Sequence, residues 1–292
     1  MERQKSFTTE NKGMLYIVGT PIGNLGDMSE RAQEVLREVD LIAAEDTRHT
    51  RKLLNHFQLS TPMVSYHEHN ELKRGAELVE KLKEGMKIAL VSDAGLPGIS
   101  DPGEEIVGQA VAEGIPVVPI PGPNAALTAL VASGLPAQPF LFLGFLPRAS
   151  KERKVELEKW KASPATLLFY EAPHRLIEML TDLLDVLGNR RAAITRELTK
   201  KHEEWLRGKL VDCLSYVKEQ GPRGEYTIVI EGAGDEAWRA EEPDAWWEGL
   251  SLAEHVHAYM SQGNSKKEAI SQTAKDRALP KREVYNMYHK ED

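Results

Sequence analysis

The sequence predicts an α/β protein: two α/β domains followed by a small C-terminal helical module. Three observations carry that reading. Short apolar runs alternate with helix-period patterns as far as Gly232. The apolar runs end in tips rich in Gly, Pro and charged residues. Beyond Gly232 the composition turns acidic and Trp-rich, then helical from Leu250 with a turn at Gly263-Asn264-Ser265.

The first strand spans Leu15 to Val18 and runs into Gly19-Thr20-Pro21-Ile22-Gly23-Asn24. Ser29 caps a helix with Ala32, Val35, Leu36 and Val39 on one face. Leu41 to Ala44 is a strand tipped by Glu45-Asp46-Thr47-Arg48, and Pro62 to Tyr66 another, tipped by His67-Glu68-His69-Asn70. A helix from Leu72 to Lys83 stops at Gly85, and the strand Lys87 to Val91 enters Ser92-Asp93-Ala94-Gly95. A helix from Glu104 to Glu113 and a strand from Pro116 to Ile120 complete the first half. Such a βαβ rhythm predicts a parallel sheet covered by helices. Pro121-Gly122-Pro123-Asn124 interrupts it, so the domain boundary is placed there, and a short helix comes next over Ala125 to Ser133.

The second set has strands at Phe140–Leu146, Thr166–Tyr170, Ala192–Thr195 and Tyr226–Ile230, with helices at Lys151–Lys161, His174–Leu187 and Val211–Glu219. The expected organisation is a leader at 1–13, domains at 14–120 and 121–233, and an acidic linker with a helical module at 234–292. The linker is expected to dock by Trp238, Trp246 and Trp247.

Composition narrows the function. The chain has 292 residues, 41% hydrophobic and 28% charged, as in an ordinary globular protein. No apolar run is long enough to cross a membrane, and Met1 to Gly13 lacks a signal-peptide core. Cys213 is the only cysteine, which rules out an internal disulfide or a cysteine zinc site and suits a reducing cytoplasm. The net charge of −8 argues against general affinity for nucleic acid.

The glycine turn Gly19 to Gly26 has neither the dinucleotide-binding spacing nor the Gly-Lys-Ser/Thr of a phosphate loop. Ser92 to Gly103 packs three glycines, two prolines and two aspartates into a dozen residues after a buried strand. A loop stiff at its prolines and open at its glycines suits a small-molecule site. His67 and His69 would share one face of a strand, but no Cys or third His stands nearby, so no metal is expected. Because ligands of open α/β sheets sit beyond the carboxyl ends of the strands, the loaded tips imply one shared cleft.

Leu15 to Gly26, Ser92 to Gly103 and Pro121-Gly122-Pro123-Asn124-Ala125-Ala126 resemble the cofactor loops of the tetrapyrrole (corrin/porphyrin) methylase superfamily. Glu45 to Arg48, Tyr66 to Asn70, Phe169 to Arg175 and Arg196 to Lys200 resemble one branch of it. That branch is the bacterial small-subunit ribosomal RNA methyltransferases of type I, which methylate a cytidine ribose 2'-hydroxyl. The resemblance runs from about Met14 to Asp292. It implies a homodimer, S-adenosylmethionine held in a cleft between two α/β domains, and 16S RNA in the small ribosomal subunit as substrate. It carries the cofactor role to Pro21, Asp93, Leu96, Asn124, Ala125 and Tyr170.

The reaction it implies is an in-line methyl transfer needing no metal. Candidate proton acceptors at the strand tips are Glu45, Asp46, His67, Glu171 and Glu197. Candidate RNA contacts are Arg48, His69, Asn70, His174, Arg175, Arg196 and Lys200. The tail from Ser261 to Asp292 carries seven Lys/Arg against five Asp/Glu and resembles a helix-turn-helix pair. Two other readings stay open: a methylase of tetrapyrroles or other small acceptors on the same fold, and a ligand-sensing DNA-binding regulator.

Overall fold

The computed structural model describes residues 4, 13–234, 246, 247, 249–277 and 279–291. Most of the expected leader and Trp238 of the acidic linker lie outside the described residues. The chain forms two compact units, Met1–Ala233 and Gly234–Asp292.

The first unit contains two five-stranded sheets. Sheet one joins β1 (Met14–Val18), β2 (Leu41–Ala44), β3 (Met63–Ser65), β4 (Lys87–Val91) and β5 (Val117–Ile120) in the order β3-β2-β4-β1-β5. Every pairing is parallel. Side chains alternate across it, and both faces are buried. Ile42, Ala44, Ala89 and Val91 pack against α1 (Glu30–Glu38) and α2 (Thr47–His56). Leu41, Ala43, Ile88 and Leu90 pack against α3 (Glu71–Lys83) and α4 (Glu104–Ala112). Burial on both sides explains why these strands read as continuous apolar runs.

Sheet two joins β6 (Phe140–Gly144), β7 (Thr166–Glu171), β8 (Arg191–Arg196), β9 (Glu204–Lys209) and β10 (Tyr226–Ile230) in the order β6-β7-β10-β8-β9. Only β6 and β7 are parallel; the other pairs are antiparallel. One face buries Leu167, Phe169, Ile194 and Ile228 beneath α6 (Ser150–Glu158), α7 (Leu176–Leu187) and α8 (Leu210–Gln220). The other buries Leu168, Ala193 and Val229 against Ala126, Ala129 and Leu130 of α5 (Ala125–Ala132).

Two elements go beyond the sequence reading. Helix α2 starts where Asp46 caps the Arg48 amide, and it buries Thr50, Leu53 and Leu54. Strand β9 is a half-exposed edge strand, Glu-Trp-Leu-Arg-Gly-Lys, with no apolar run to announce it.

The second unit packs α9 (Leu252–Ser261), α10 (Lys266–Asp276) and α11 (Lys281–Glu291) around Val256, Ile270, Val284 and Tyr288. Ser251 and Ser265 begin α9 and α10 with reciprocal capping boxes to Glu254 and Glu268. His255 is fully buried, stacked on Trp247 and edge-on to Trp246.

Candidate functional site

Three loops at the carboxyl end of sheet one are joined through backbone. Thr20 and Gly95 exchange hydrogen bonds, N–H to O, at 2.8 and 3.1 Å. The buried Thr20 hydroxyl donates to the Ser92 carbonyl at 3.1 Å. Gly19 lies against Gly122, and a Cβ added to either would stand 2.8 Å from the other's Cα. The loops after β1, β4 and β5 are thus fused beside the strands where the sheet order reverses, the usual ligand position in such folds.

A cavity of about 320 Å³ opens between these loops and the facing end of sheet two. Ile22, Leu96, Ile99, Ser100 and Asp101 line it from the first half, and Asn124 and Ala125 from the start of α5. Phe145, Tyr170, Glu171, Thr195, Leu198 and Thr227 line it from the second. Its walls are mainly apolar with a few polar groups, the make-up of a small-molecule site. Among the described residues, the buried Thr195 Oγ1 in the wall has no hydrogen-bond partner, and the buried Glu171 Oε2 meets only the Arg175 guanidinium, 3.3 Å away. Such atoms cost free energy unless a ligand or water meets them.

The carboxylates differ sharply. Asp101 is pushed up to about 7 by burial and by the nearby carboxylates of Glu45 and Asp93, although Ser92 hydrogen-bonds it. Burial also raises Glu171, although its Oε1 accepts the Ala172 amide and its Oε2 lies 3.3 Å from Arg175. Burial raises Glu45, whose Oε2 accepts the Asp93 amide at 3.1 Å. In return Asp93 Oδ1 accepts the Asp46 amide at 3.2 Å, locking the tips of β2 and β4 together. Arg48 holds Asp46 well below the usual carboxylate range in an exposed pair.

Of the residues expected to hold a cofactor, Leu96, Asn124, Ala125 and Tyr170 line the cavity. Pro21 and Asp93 lie beside it in sequence but are not in its wall. The amides at the start of α5 are partly used already: Ala126 donates to Tyr170 Oη and Leu127 to Asn124 Oδ1.

Of the candidate proton acceptors, Glu171 alone lines the cavity. Burial alone would raise Glu197, but the Glu225 amide and Lys200 outweigh it and hold Glu197 low. His67 is not on a strand. It sits in a turn closed by Asn70, whose Oδ1 accepts its amide, with His69 edge-on to its ring. Because β3 is the edge strand of sheet one, His67, His69 and Asn70 stand at the side remote from β1 and β5.

The candidate RNA contacts divide. Arg48 is exposed but paired with Asp46. Lys200 is held by Glu197 and Glu225. Arg196 faces Glu204 in a separate recess with Tyr216 and Arg223. Arg175 is not an outward phosphate clamp: its guanidinium turns inward to the Leu146 and Pro147 carbonyls at 2.8 and 3.2 Å. His174 remains exposed next to it.

Asp101, Thr195 and Phe145 were absent from the sequence-based site. Asp101 stands in the loop already singled out by its glycines and prolines, next after Ser100, a non-glycine residue at φ 64°. A non-glycine residue held in the left-handed region marks a conformation fixed by its surroundings. Thr195 closes an apolar strand as an uncharged residue beside the charged tip that begins at Arg196, and Phe145 sits near the end of an apolar run, so neither stood out. Among the described residues no cluster of His, Cys, Asp and Glu is arranged to hold a metal.

Comparison with known proteins agrees with this arrangement. The family model for tetrapyrrole (corrin/porphyrin) methylases matches residues 14–213. Ribosomal RNA small subunit methyltransferase I of Halalkalibacterium halodurans (strain ATCC BAA-125 / DSM 18197 / FERM 7344 / JCM 9153 / C-125) is 53% identical over 292 residues, all of both chains. Its namesake in Bacillus subtilis (strain 168) is 53% identical over 290 residues, 99% of each chain. Among solved structures, a diphthine synthase shares the fold with a TM-score of 0.59 and 16% identity, over 78% of this chain and 95% of its own. The chain therefore belongs to the tetrapyrrole (corrin/porphyrin) methylase family, in the branch whose members are named ribosomal RNA small subunit methyltransferase I.

Proposed function

We propose that the chain is an S-adenosylmethionine-dependent methyltransferase that methylates the ribose 2'-hydroxyl of a cytidine in 16S RNA. The observation that carries the RNA acceptor is identity of 53% along the entire chain, C-terminal helices included, to a ribosomal RNA methyltransferase. The cavity supports the cofactor. Leu96, Ile22 and Tyr170 offer apolar contact, while Thr195 Oγ1 offers an unpartnered polar atom to a ligand of mixed character. Bound there, S-adenosylmethionine supplies a methyl carbon already activated by a sulfonium that departs as a neutral thioether.

The chain's own residues then do two things. They must hold the ribose hydroxyl in line with the methyl carbon, for which orientation supplies effective molarities of roughly 10⁵–10⁸ M. They must also take the hydroxyl proton as the oxygen–carbon bond forms and the sulfur–carbon bond breaks. Asp101 is suited to accept that proton, because it lines the cavity and its proton affinity is near neutrality, where a general base is most effective. Glu171 is less suited, because Arg175 and the Ala172 amide engage its carboxyl group.

The acidic chain has little general affinity for RNA, which favours the assembled small subunit over naked RNA, and its single cysteine suits a reducing cytoplasm. Leu127 and Val131, four residues apart on α5 and 47% and 77% exposed, supply an apolar stripe suited to a homodimer interface. No described helix is long and apolar enough to cross a membrane.

The test is transfer of labelled methyl from S-adenosylmethionine to small subunits lacking their native modifications, with nucleoside digestion afterwards. The expected product is 2'-O-methylcytidine. A base-methylated nucleoside would overturn the ribose assignment. Cofactor binding without transfer to subunits, but with transfer to a porphyrinoid, would move the chain to small acceptors.

A further inference from the structure

Beside the cofactor cavity lies a second recess of about 560 Å³, lined by Phe145, Pro147, Arg148, Glu171, His174 and Arg175 among others. It shares Phe145, Glu171 and Ala172 with the cavity, so whatever fills it borders the cofactor. Resting on the reading that RNA is the acceptor, we propose that the Phe145–Arg148 turn is the acceptor-nucleotide subsite. The Phe145 ring takes the base by stacking, and the Arg148 guanidinium takes the adjoining phosphate.

The turn is built to present these side chains. The pairing of β6 with β7 slips between Phe142 and Gly144, a bulge that redirects the chain beyond it. Gly144 sits at φ 60°, and a Cβ there would come 3.1 Å from Ser100 Oγ, so the bulge needs glycine. Phe145 emerges edge-on to Tyr170, with ring centroids 5.7 Å apart, yet is 55% exposed. An aromatic ring braced on one edge and open to water at the rim of a reaction cavity suits a splayed-out base.

Beneath the turn, two arginines fix its backbone. Arg175 donates to the carbonyls of Leu146 and Pro147. The fully buried Arg153 donates to those of Pro147 and Arg148 at 3.2 and 3.0 Å and is anchored by Asp182 at 2.6 Å. Three consecutive carbonyls are thus held by guanidinium groups, which makes the turn a rigid platform rather than a loose connector. Arg148 itself is exposed, and among the described residues its guanidinium has no hydrogen bond or ion pair. His174 stands across the recess, also exposed. An unpaired planar guanidinium beside an open aromatic ring matches the phosphate and base of one nucleotide.

The experiment measures methyl transfer to unmodified small subunits and, separately, S-adenosylmethionine affinity by calorimetry. It compares the unaltered protein with Phe145→Ala, Phe145→Trp and Arg148→Ala. Phe145→Ala is expected to raise KM for subunits by about 5- to 150-fold, the range of one base–aromatic stack, at S-adenosylmethionine concentrations that saturate the variant. Phe145→Trp is expected to retain the original KM. Arg148→Ala is expected to raise KM and to reduce the salt-dependence slope by about 0.7–0.9, the loss of one phosphate contact. Unchanged KM in both alanine variants overturns the subsite. So does a loss in Phe145→Ala that is wholly a loss of cofactor affinity. If the unaltered protein transfers no methyl to subunits, the RNA reading itself fails, and the subsite with it.

Discussion

The hydroxyl of Tyr170 accepts the amide N–H of Ala126 at 3.0 Å, tying the end of β7 to the first turn of α5. Both elements border the cavity, so the bond sets the distance between two of its walls. Tyr170→Phe keeps the ring and its edge contacts with Phe142 and Phe145 but strands the amide. The expected loss is about 1–3 kcal/mol in denaturant unfolding, with weaker S-adenosylmethionine binding. Equal stability in the two proteins would mean that the bond contributes nothing beyond what water can replace.

Asp101 makes two separable predictions. As proton acceptor, it requires the transfer rate to rise with pH and level off above about 7, where the carboxyl is ionised. Asp101→Asn should lower the rate by roughly 10²–10⁴-fold and flatten that profile. The stability effect has the opposite sense. Its pKa is raised in the folded state, so the folded protein holds the proton longer than the unfolded chain does. The cost of ionising it is absent below the ordinary 3.8, grows as pH rises toward 7, and is complete above that. Asp101→Asn should therefore melt higher than the unaltered protein at pH 8, and the gain should vanish at about pH 3. A profile that keeps its shape in the variant removes Asp101 from the chemistry, whatever the melting data show.

Gly19 and Gly122 predict a defect that starts in backbone. A Cβ at Gly122 would meet Gly19 Cα at 2.8 Å, with Gly19 C and O at 3.0 and 3.1 Å. No side chain can rotate to relieve this, so Gly122→Ala must part the loops after β1 and β5. Overpacking of this kind typically costs about 1–3 kcal/mol. S-adenosylmethionine affinity should fall together with the melting temperature. Gly108→Ala, on the open side of α4 with nothing within 4 Å of its Cβ, serves as the control: it should leave cofactor affinity unchanged and raise the melting temperature slightly, because alanine is the better helix former.

Legibility in the sequence tracks the strength of the periodicity. Sheet one could be read almost residue by residue, because parallel strands buried on both faces are unbroken apolar runs and their loops carry Gly and Pro. Strand β9 could not, because an edge strand with one solvent face mixes Trp205 and Leu206 with Glu204, Arg207 and Lys209. Helix α2 was hidden because its first turn, Thr47 to Thr50, reads as a polar tip. At the site, the loops that line the cavity were visible as motifs, but the choice among charged residues was not. Pairing decides that choice, and pairing is a property of the fold: Arg175 turns inward to Leu146 and Pro147, while Arg148 is left facing water. Asp101 was overlooked because a carboxylate gains unusual proton affinity only from burial beside Glu45 and Asp93, which approach it from two different strands.

His255 makes the C-terminal unit sensitive to acid. Its ring is fully buried among Trp246, Trp247 and Tyr259; Arg277 Nε donates to Nδ1 at 3.1 Å, and Nε2 lies 3.2 Å from Asp276. Burial, reinforced by the Arg277 charge, depresses its pKa below the ordinary 6.5, although Asp276 opposes the shift. A depressed histidine resists protonation in the folded state more than in the unfolded one. Stability is therefore intact above about 6.5 and falls as pH drops below it. Hydrogen exchange on the full chain, corrected for intrinsic rates, should show α9 and α10 losing protection between pH 7.5 and 5.5 while sheet one does not. His255→Gln, which cannot take up a proton, should remove the difference even if its protection is lower throughout. Equal protection of α9 and α10 at both pH values in the unaltered protein would show that Asp276 compensates the buried charge and that the unit carries no acid sensitivity.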